Sequence, residues 1–513
     1  MKKSMQRILA IVLVAIIGVG IGVGAYFFLA TEALAYKWEN VPGAPAGVSQ
    51  DRIIKIGVLD DMGYITGQGA RNGAEMAARE INERGGVVVD GVNYYIGVET
   101  EDTEESNPAL DLSRGVAAAE RMVNYKKADF LLGGFRTEAL QAYREVVMLA
   151  KKIFMITGSA TAKFCQDVYN DYNKYKYTFR IQPLNEVFLA GEVIRMLAFT
   201  ILDQKENFGR NITKIAIMRE NLAWTQRMST SINGLIPVVS YLVYGDFVSI
   251  SVVEEIPYPQ TAGPIDFYGY WSDIKASGAE ITVPIISGPT GLYYSDVYGD
   301  TEQPSLSLGI NVMGQQSIFW EQTGGNCEYE IAMTSFIRHA KTPYTVRFWD
   351  YYVGNYSTAP LYTATGAYDA VMTLATAIFT GQSLDTDDVI AELEESEFQG
   401  GAFTPRVAGV LYPDLGSPTA TWGVWTDGTY PRDVDTSTPE IDYSRHDVVE
   451  GSEPFGHAVF VQWVDDPLNG GKWECVPLGA LPGIGTIYPP LASWEPEMYS
   501  MDIVTANISW PVR

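Results

Sequence analysis

The sequence predicts an α/β protein built of two doubly wound, parallel-sheet lobes. Apolar strand-like runs alternate with amphipathic helical runs from about residue 52 onward, which is the pattern of βαβ units. That alternation pauses at "YNDYNKYKYTFRIQPLNE" (169–186) and then restarts, which divides it into two series. At 513 residues the chain is also too long for one compact core.

The first series opens on the β-branched strand "IIKIGVL" (53–59). Ala70, Gly73, Ala74, Ala77, Ala78 and Ile81 then share one face of a helix, and "ERGG" stops it, with Gly85 or Gly86 suited to a left-handed cap. "YYIGVET" (94–100) is the next strand. Pro108 is expected to open a helix whose Ala109, Leu112, Val116, Ala119 and Val123 share a face. "FLLGG" (130–134), a helix over 138–150 and "KIFMIT" (152–157) complete the series.

The second series reads "KIAIM" (214–218), a helix from Trp224, "SVVEEI" (251–256), a helix in "FYGYWSDIKASG" and "ITVPII" (281–286). An alanine-rich helix follows over 361–381 and ends at Gly381. Beyond about residue 400 the chain turns to short strands and acidic turns, and "HAVFVQWVDD" with "KWECVPL" reads as a hairpin. Residues 485–513 read as a tail.

Composition limits the function. The chain is 47% hydrophobic and 19% charged, hence globular, and its net charge of −26 disfavours both nucleic acid and anionic lipid as partners of the folded part. Lys2, Lys3 and Arg7 precede an unbroken apolar stretch over 8–30, long enough to span a bilayer at about 1.5 Å per residue. Positive charge before it predicts a cytoplasmic N-terminus and a folded domain outside the cell. A retained single-span anchor and a signal peptide cleaved after Ala35 both fit, and either way "YKWENVPGAPAGVSQ" (36–50) is a spacer. Cys165, Cys327 and Cys475 allow at most one disulfide. Sequons at Asn211, Asn355 and Asn507 are compatible with export.

Signatures of catalysis and metal binding are missing. There is no G-x-S-x-G, C-x-x-C, H-E-x-x-H or P-loop, and His339, His446 and His457 lack metal-ligand spacing. No enzyme activity, cofactor or metal is expected. The carboxylates of "ETEDTEE" (99–105) read as a solvated charge run. "TGQGARNG" (66–73), followed by Glu99, has the parts of a dinucleotide site, but seven residues separate its glycines from the strand, where such a fold needs a tight turn.

Two strand ends are more informative. "FLLGGFRTEA" (130–139) and "IFMITGSATA" (153–162) each run from an apolar strand into small and hydroxyl-bearing residues. Ligands of open parallel sheets lie outside the carboxyl ends of the strands. Thr137 is placed to cap the helix beginning at Glu138, and Ser159 and Thr161 add hydroxyls next door, a combination that suits a carboxylate.

"GAEMAAREINERGGV", "EDTEESNPALDLSRGVAAAERMV", the two stretches just described, "YTFRIQP", "DFYGYWSDIKASGAEI", "ATGAYDAVMTLATAI" and "VFVQWVDD" together resemble the type I periplasmic binding proteins over about residues 52–480. Among these, the resemblance is to the branched-chain amino acid and amide binders of ABC importers. It implies two lobes joined by a three-stranded hinge, with the ligand in the cleft. Lobe 1 is then 52–180 with about 340–410 returning to it, and lobe 2 is 181–339 with about 411–484 returning to it. The resemblance places ligand contacts at Thr137 beside Phe135 and Arg136, at Ser159 and Thr161, at Trp224, and at Ser287. It makes Tyr64 a lid. Where amino acid binders carry an acidic residue for the ligand ammonium, "INVMGQQSIFW" offers Gln316, with Glu321 one turn on. An amide does not replace that charge, and Arg136 points to a carboxylate-bearing ligand, unless it pairs with Glu138 or Glu145 at the surface.

The expected function is capture of a small polar solute (an amino acid, amide or short carboxylate) by hinge closure, for delivery to an ABC permease in the same membrane. The alternative is the extracellular sensing domain of a receptor assembly with the same fold. The lack of a second span before Arg513 favours the transporter.

Overall fold

The computed structural model describes residues 36–338, 345–395, 446, 459–466, 470–475, 480–481, 485–486 and 510–511. The expected membrane span over 8–30 lies outside these residues. Among them, no helix is long and apolar enough to cross a membrane.

One six-stranded sheet holds β1 (Ile53–Asp60), β2 (Val87–Val89), β3 (Val92–Asp102), β4 (Phe130–Gly133), β5 (Phe154–Ile156) and β6 (Thr178–Arg180), in the order β2-β3-β1-β4-β5-β6. All run parallel except β2, which forms a hairpin with β3. The second sheet holds β7 (Lys214–Glu220), β8 (Ser251–Tyr258), β9 (Ile281–Ile286), β10 (Leu306–Asn311), β11 (Ile331–Thr334), β12 (Val459–Asp466) and β13 (Gly470–Cys475). Its order is β13-β12-β11-β10-β9-β7-β8, parallel as far as β11 and antiparallel through β12 and β13. The apolar centres of β1, β7, β9 and β10 are buried, as sheets covered on both faces require.

Helices α1 (Ile65–Glu83), α2 (Leu112–Glu120), α3 (Thr137–Leu149) and α4 (Lys163–Asn170) belong to the first lobe. Helices α5 (Glu186–Phe208), α6 (Ala223–Tyr244), α7 (Pro264–Ser277) and α8 (Thr290–Asp300) belong to the second. The chain crosses between lobes after β6 and again after β11. It then returns as α9 (Thr345–Tyr356), α10 (Tyr362–Gly381) and α11 (Thr386–Glu395), with α10 packed along α1. His446 lies against β6, where its carbonyl accepts the Arg180 N–H at 2.9 Å and its ring stacks on Phe179. The next described strand, β12, belongs to the second sheet, and the expected return near 411 lies outside the described residues.

The α1 stripe read from sequence is buried, and Gly85 and Gly86 close the helix. The Gly86 N–H bonds the Ile81 carbonyl and the Gly85 N–H that of Asn82, both glycines at positive φ. One expectation changes. The second helix starts at Leu112 rather than at Pro108, because Leu110 takes φ +45° and Asp111 caps the Ser113 N–H at 3.1 Å. Gly67, Gly69 and Gly73 lie inside α1 and form no phosphate turn. A Cβ at Gly67 would sit 2.1 Å from the Asp61 carbonyl oxygen, and one at Gly73 1.9 Å from that of Ala364 on α10. These glycines allow close backbone packing, which removes the dinucleotide reading. Cys165 and Cys327 are buried, and the Cys165 thiol donates to the His446 carbonyl at 3.4 Å.

Several carboxyls are buried with the core. Burial raises Asp60, Glu186 and Glu330 each to about 7. Glu330, ahead of β11, accepts from Asn311 Nδ2 at 2.8 Å and from the Ser295 hydroxyl.

Two predictions follow from this packing. Gly73→Ala is expected to destabilise the chain by about 1–3 kcal/mol, read as a lower urea midpoint. For the carboxyls, a folded-state pKa above the unfolded one means the folded chain holds more protons between the two values. Stability is therefore greatest below about pH 4 for these groups and declines as pH rises from there to about 7. Glu330→Gln is expected to flatten that decline in Tm-against-pH profiles, and an unchanged slope would contradict the assignment.

Candidate functional site

A cavity of about 720 Å³, open space at its mouth included, lies between the lobes where the chain crosses. The first lobe contributes Phe135 after β4, Gly158 and Ala160 after β5, and Tyr362 at the start of α10. The crossing segments contribute Gln182, Pro183 and Leu184 on one side and Thr334 and Ser335 on the other. From the second lobe come Leu189, Trp224, Ser287, Ile310, Gln315 and Met333, with Val312 beside them. These positions follow from topology, since each strand–helix turn opens at the carboxyl edge of its sheet.

Arg136 is buried and bridges the lobes. Its Nη1 donates to Glu220 Oε2 at 3.3 Å and to Ser287 Oγ at 3.0 Å, while its guanidinium lies over the Phe135 ring at 5.3 Å. Glu220 ends β7 and is itself enclosed by donors. It accepts the N–H groups of Ser287 (2.8 Å) and Gly288 (3.0 Å) and the hydroxyls of Ser287 (2.7 Å) and Thr290 (3.3 Å). From sequence, Arg136 is expected to meet a ligand carboxylate or to pair with Glu138 or Glu145 at the surface. Its partner is instead Glu220, and Glu145 pairs with Lys174 at 2.8 Å.

The strand ends are brought together, although they bond to each other. Arg136, rather than Thr137, holds the N-cap position of α3. The Thr137 and Ser159 hydroxyls lie 3.3 Å apart, and the Thr161 carbonyl accepts from Arg180 Nη2. Glu105 takes the backbone donors of this loop, accepting from Phe135 N at 3.3 Å and Arg136 N at 3.0 Å, and from the hydroxyls of Thr103 and Tyr143. It is 2% exposed, so the run 99–105 ends in the core rather than in solvent. Burial first, and the neighbouring Asp60 second, push its carboxyl well above the ordinary range. The expected carboxylate cradle is thus closed from within, by a side chain that a charge-run reading discards.

In the second lobe Gln315 lines the cavity where Gln316 was expected. Gln316 turns back so that its Nε2 lies 3.4 Å from the Met313 carbonyl, and Glu321 is exposed. Tyr64 spans the cleft, its hydroxyl donating to the Ser287 carbonyl at 3.2 Å and its ring against Phe135. Phe135, Trp224 and Ser287 are the expected residues that line the cavity. Gln182, Gln315 and Tyr362 were missed, and so was Glu220. Its place at the end of "KIAIMRE" was the available signal. Among the described residues no group of His, Cys, Asp and Glu is arranged to hold a metal ion.

Removing one partner of a buried pair leaves the other charge uncompensated, at a cost of about 3–5 kcal/mol. Arg136→Met is therefore expected to destabilise the chain more than Arg136→Met combined with Glu220→Gln, with the coupling read from a double-mutant cycle in urea. Additive effects would mean that the pair contributes nothing as a pair.

No curated protein matches the sequence. Among solved structures, a leucine binding protein from Thermotoga maritima is similar at 14% identity and TM-score 0.57, covering 82% of this chain and 97% of that one. A branched-chain amino acid transporter substrate binding protein from Streptococcus pneumoniae, in complex with isoleucine, is 15% identical with TM-score 0.55, covering 71% and 93%. A solute binding protein of an ABC transporter from R. palustris, in complex with benzoate, is 13% identical with TM-score 0.59, covering 85% and 97%. The family model described as "Periplasmic binding protein" matches residues 53–410, most of the two-lobed region, and the chain belongs to that family of binding proteins.

Proposed function

We propose that the chain captures a small solute in the cleft and delivers it to an ABC permease, without chemistry at the site. The observation that carries this is the cavity between the lobes, bridged from one side by Arg136 and Tyr64. Solute entry requires those bridges to part, and closure re-forms them around the solute, as hinge motion of two rigid lobes allows. The apolar stretch over 8–30 holds the folded part outside the cell as an anchor, or releases it if cleavage follows Ala35. Family membership and solved relatives holding isoleucine and benzoate support this reading.

A solute bound only by the folded state raises stability by about 2.7 kcal/mol at a hundred times its Kd. Thermal unfolding of the purified chain against amino acids, amides, ureas and small carboxylates is expected to show a rise with one compound class. Trp224→Ala, which strips an indole from the cavity wall, is expected to abolish it. A panel without any response, or a response that survives Trp224→Ala intact, would overturn the proposal.

A further inference from the structure

The hydroxyls of the cavity are already committed, and what remains open defines a ligand. Among the described residues, no side chain lining the cavity carries a formal charge. Arg136, next to the lining residue Phe135, pairs with Glu220 through Nη1, while its Nε is buried without a partner and the side chain is not part of the wall. Ser287 Oγ donates its proton to Glu220 at 2.7 Å, Tyr362 to the Gly158 carbonyl at 3.1 Å, and Thr334 to that of Phe336 at 3.1 Å. The backbone donors of Phe135 and Arg136 go to Glu105. Among the lining side chains a carboxylate therefore finds no cation and no unspent hydroxyl, and an ammonium finds no anion. Burying either without a partner is costly.

Two glutamines are half satisfied. Gln315 spends its Nε2 on the Met333 carbonyl at 2.8 Å, which leaves Oε1 buried with no partner. Gln182 spends its Oε1 on the Ser335 hydroxyl at 3.1 Å, which leaves Nε2 buried with no partner. Both side chains line the cavity and both are more than nine-tenths buried. Orphaned buried polar atoms require a partner, and a ligand that donates to one and accepts from the other supplies it. Around them the wall is apolar and aromatic, including Phe135, Leu189, Trp224 and Ile310.

We propose that the cleft selects an uncharged solute with an apolar body and a head that both donates and accepts, held between Gln315 Oε1 and Gln182 Nε2. Amino acids and carboxylates are disfavoured by the same accounting, because no lining side chain supplies a counter-charge. This rests on the reading of the cavity as the solute site.

The test uses matched series of one side group with three heads: phenylacetamide, phenylacetate and L-phenylalanine; isovaleramide, isovalerate and L-leucine; indole-3-acetamide, indole-3-acetate and L-tryptophan. Affinities are measured by calorimetry on the purified chain. The amide of at least one series is expected to bind, with its acid and amino acid weaker by tenfold or more. Gln315→Met, with Gln182→Met as the second variant, is expected to weaken that amide about tenfold. An acid or amino acid that binds as tightly as its amide overturns the solute class while leaving solute binding intact. Binding of no member of any series also overturns the class, and the Trp224→Ala screen then judges the binding reading separately.

Discussion

The closed cleft is organised around one interaction, the buried contact of Arg136 with Glu220 and Ser287. It joins the end of β4 to the ends of β7 and β9, so it spans both lobes at the carboxyl edges of both sheets. A buried ion pair is weak evidence for net stability, since desolvation offsets much of the attraction. Its value here is geometric. Glu220 is held by donors from its own lobe, and Arg136 is set in direction by the loop that Glu105 holds from behind. Each charge is fixed on its own side, and the two meet in one relative placement of the lobes.

That arrangement also accounts for the character of the cavity. The groups that would otherwise meet an ionic ligand are spent on shape, and the wall that remains is aromatic and aliphatic. Trp224 and Ser287 of the second lobe and Phe135 and Tyr362 of the first line the same cavity beside the crossing segments. Recognition then depends on burying apolar surface and on the two half-bonded glutamines.

The architecture was legible in the sequence because hydrophobic periodicity is local. The β1 run, the α1 stripe and the 361–381 helix are each set by their own residues. The cleft was legible only in outline. Phe135, Trp224 and Ser287 line the cavity because the ends of strands are visible as apolar runs that stop. Partner choice was hidden, since Arg136 and Glu220 lie far apart in sequence and meet only through the fold. Glu105 was hidden for the opposite reason. It sits in a run of acids, and nothing local separates the one that turns inward from those that face water. Gln315 and Gln316 show the same limit at single-residue scale, where the short turn at Met313–Gln315 decides which amide faces the cavity.

Whether the Arg136–Glu220 contact holds the lobes together is read by small-angle X-ray scattering. Without added solute, the chain and its Arg136→Met variant would be compared in the same buffer, with circular dichroism confirming that both are folded. A larger radius of gyration and maximum dimension are expected for the variant, because Glu220 then does better in water than enclosed without its cation. Superimposable scattering curves from two folded proteins would contradict it.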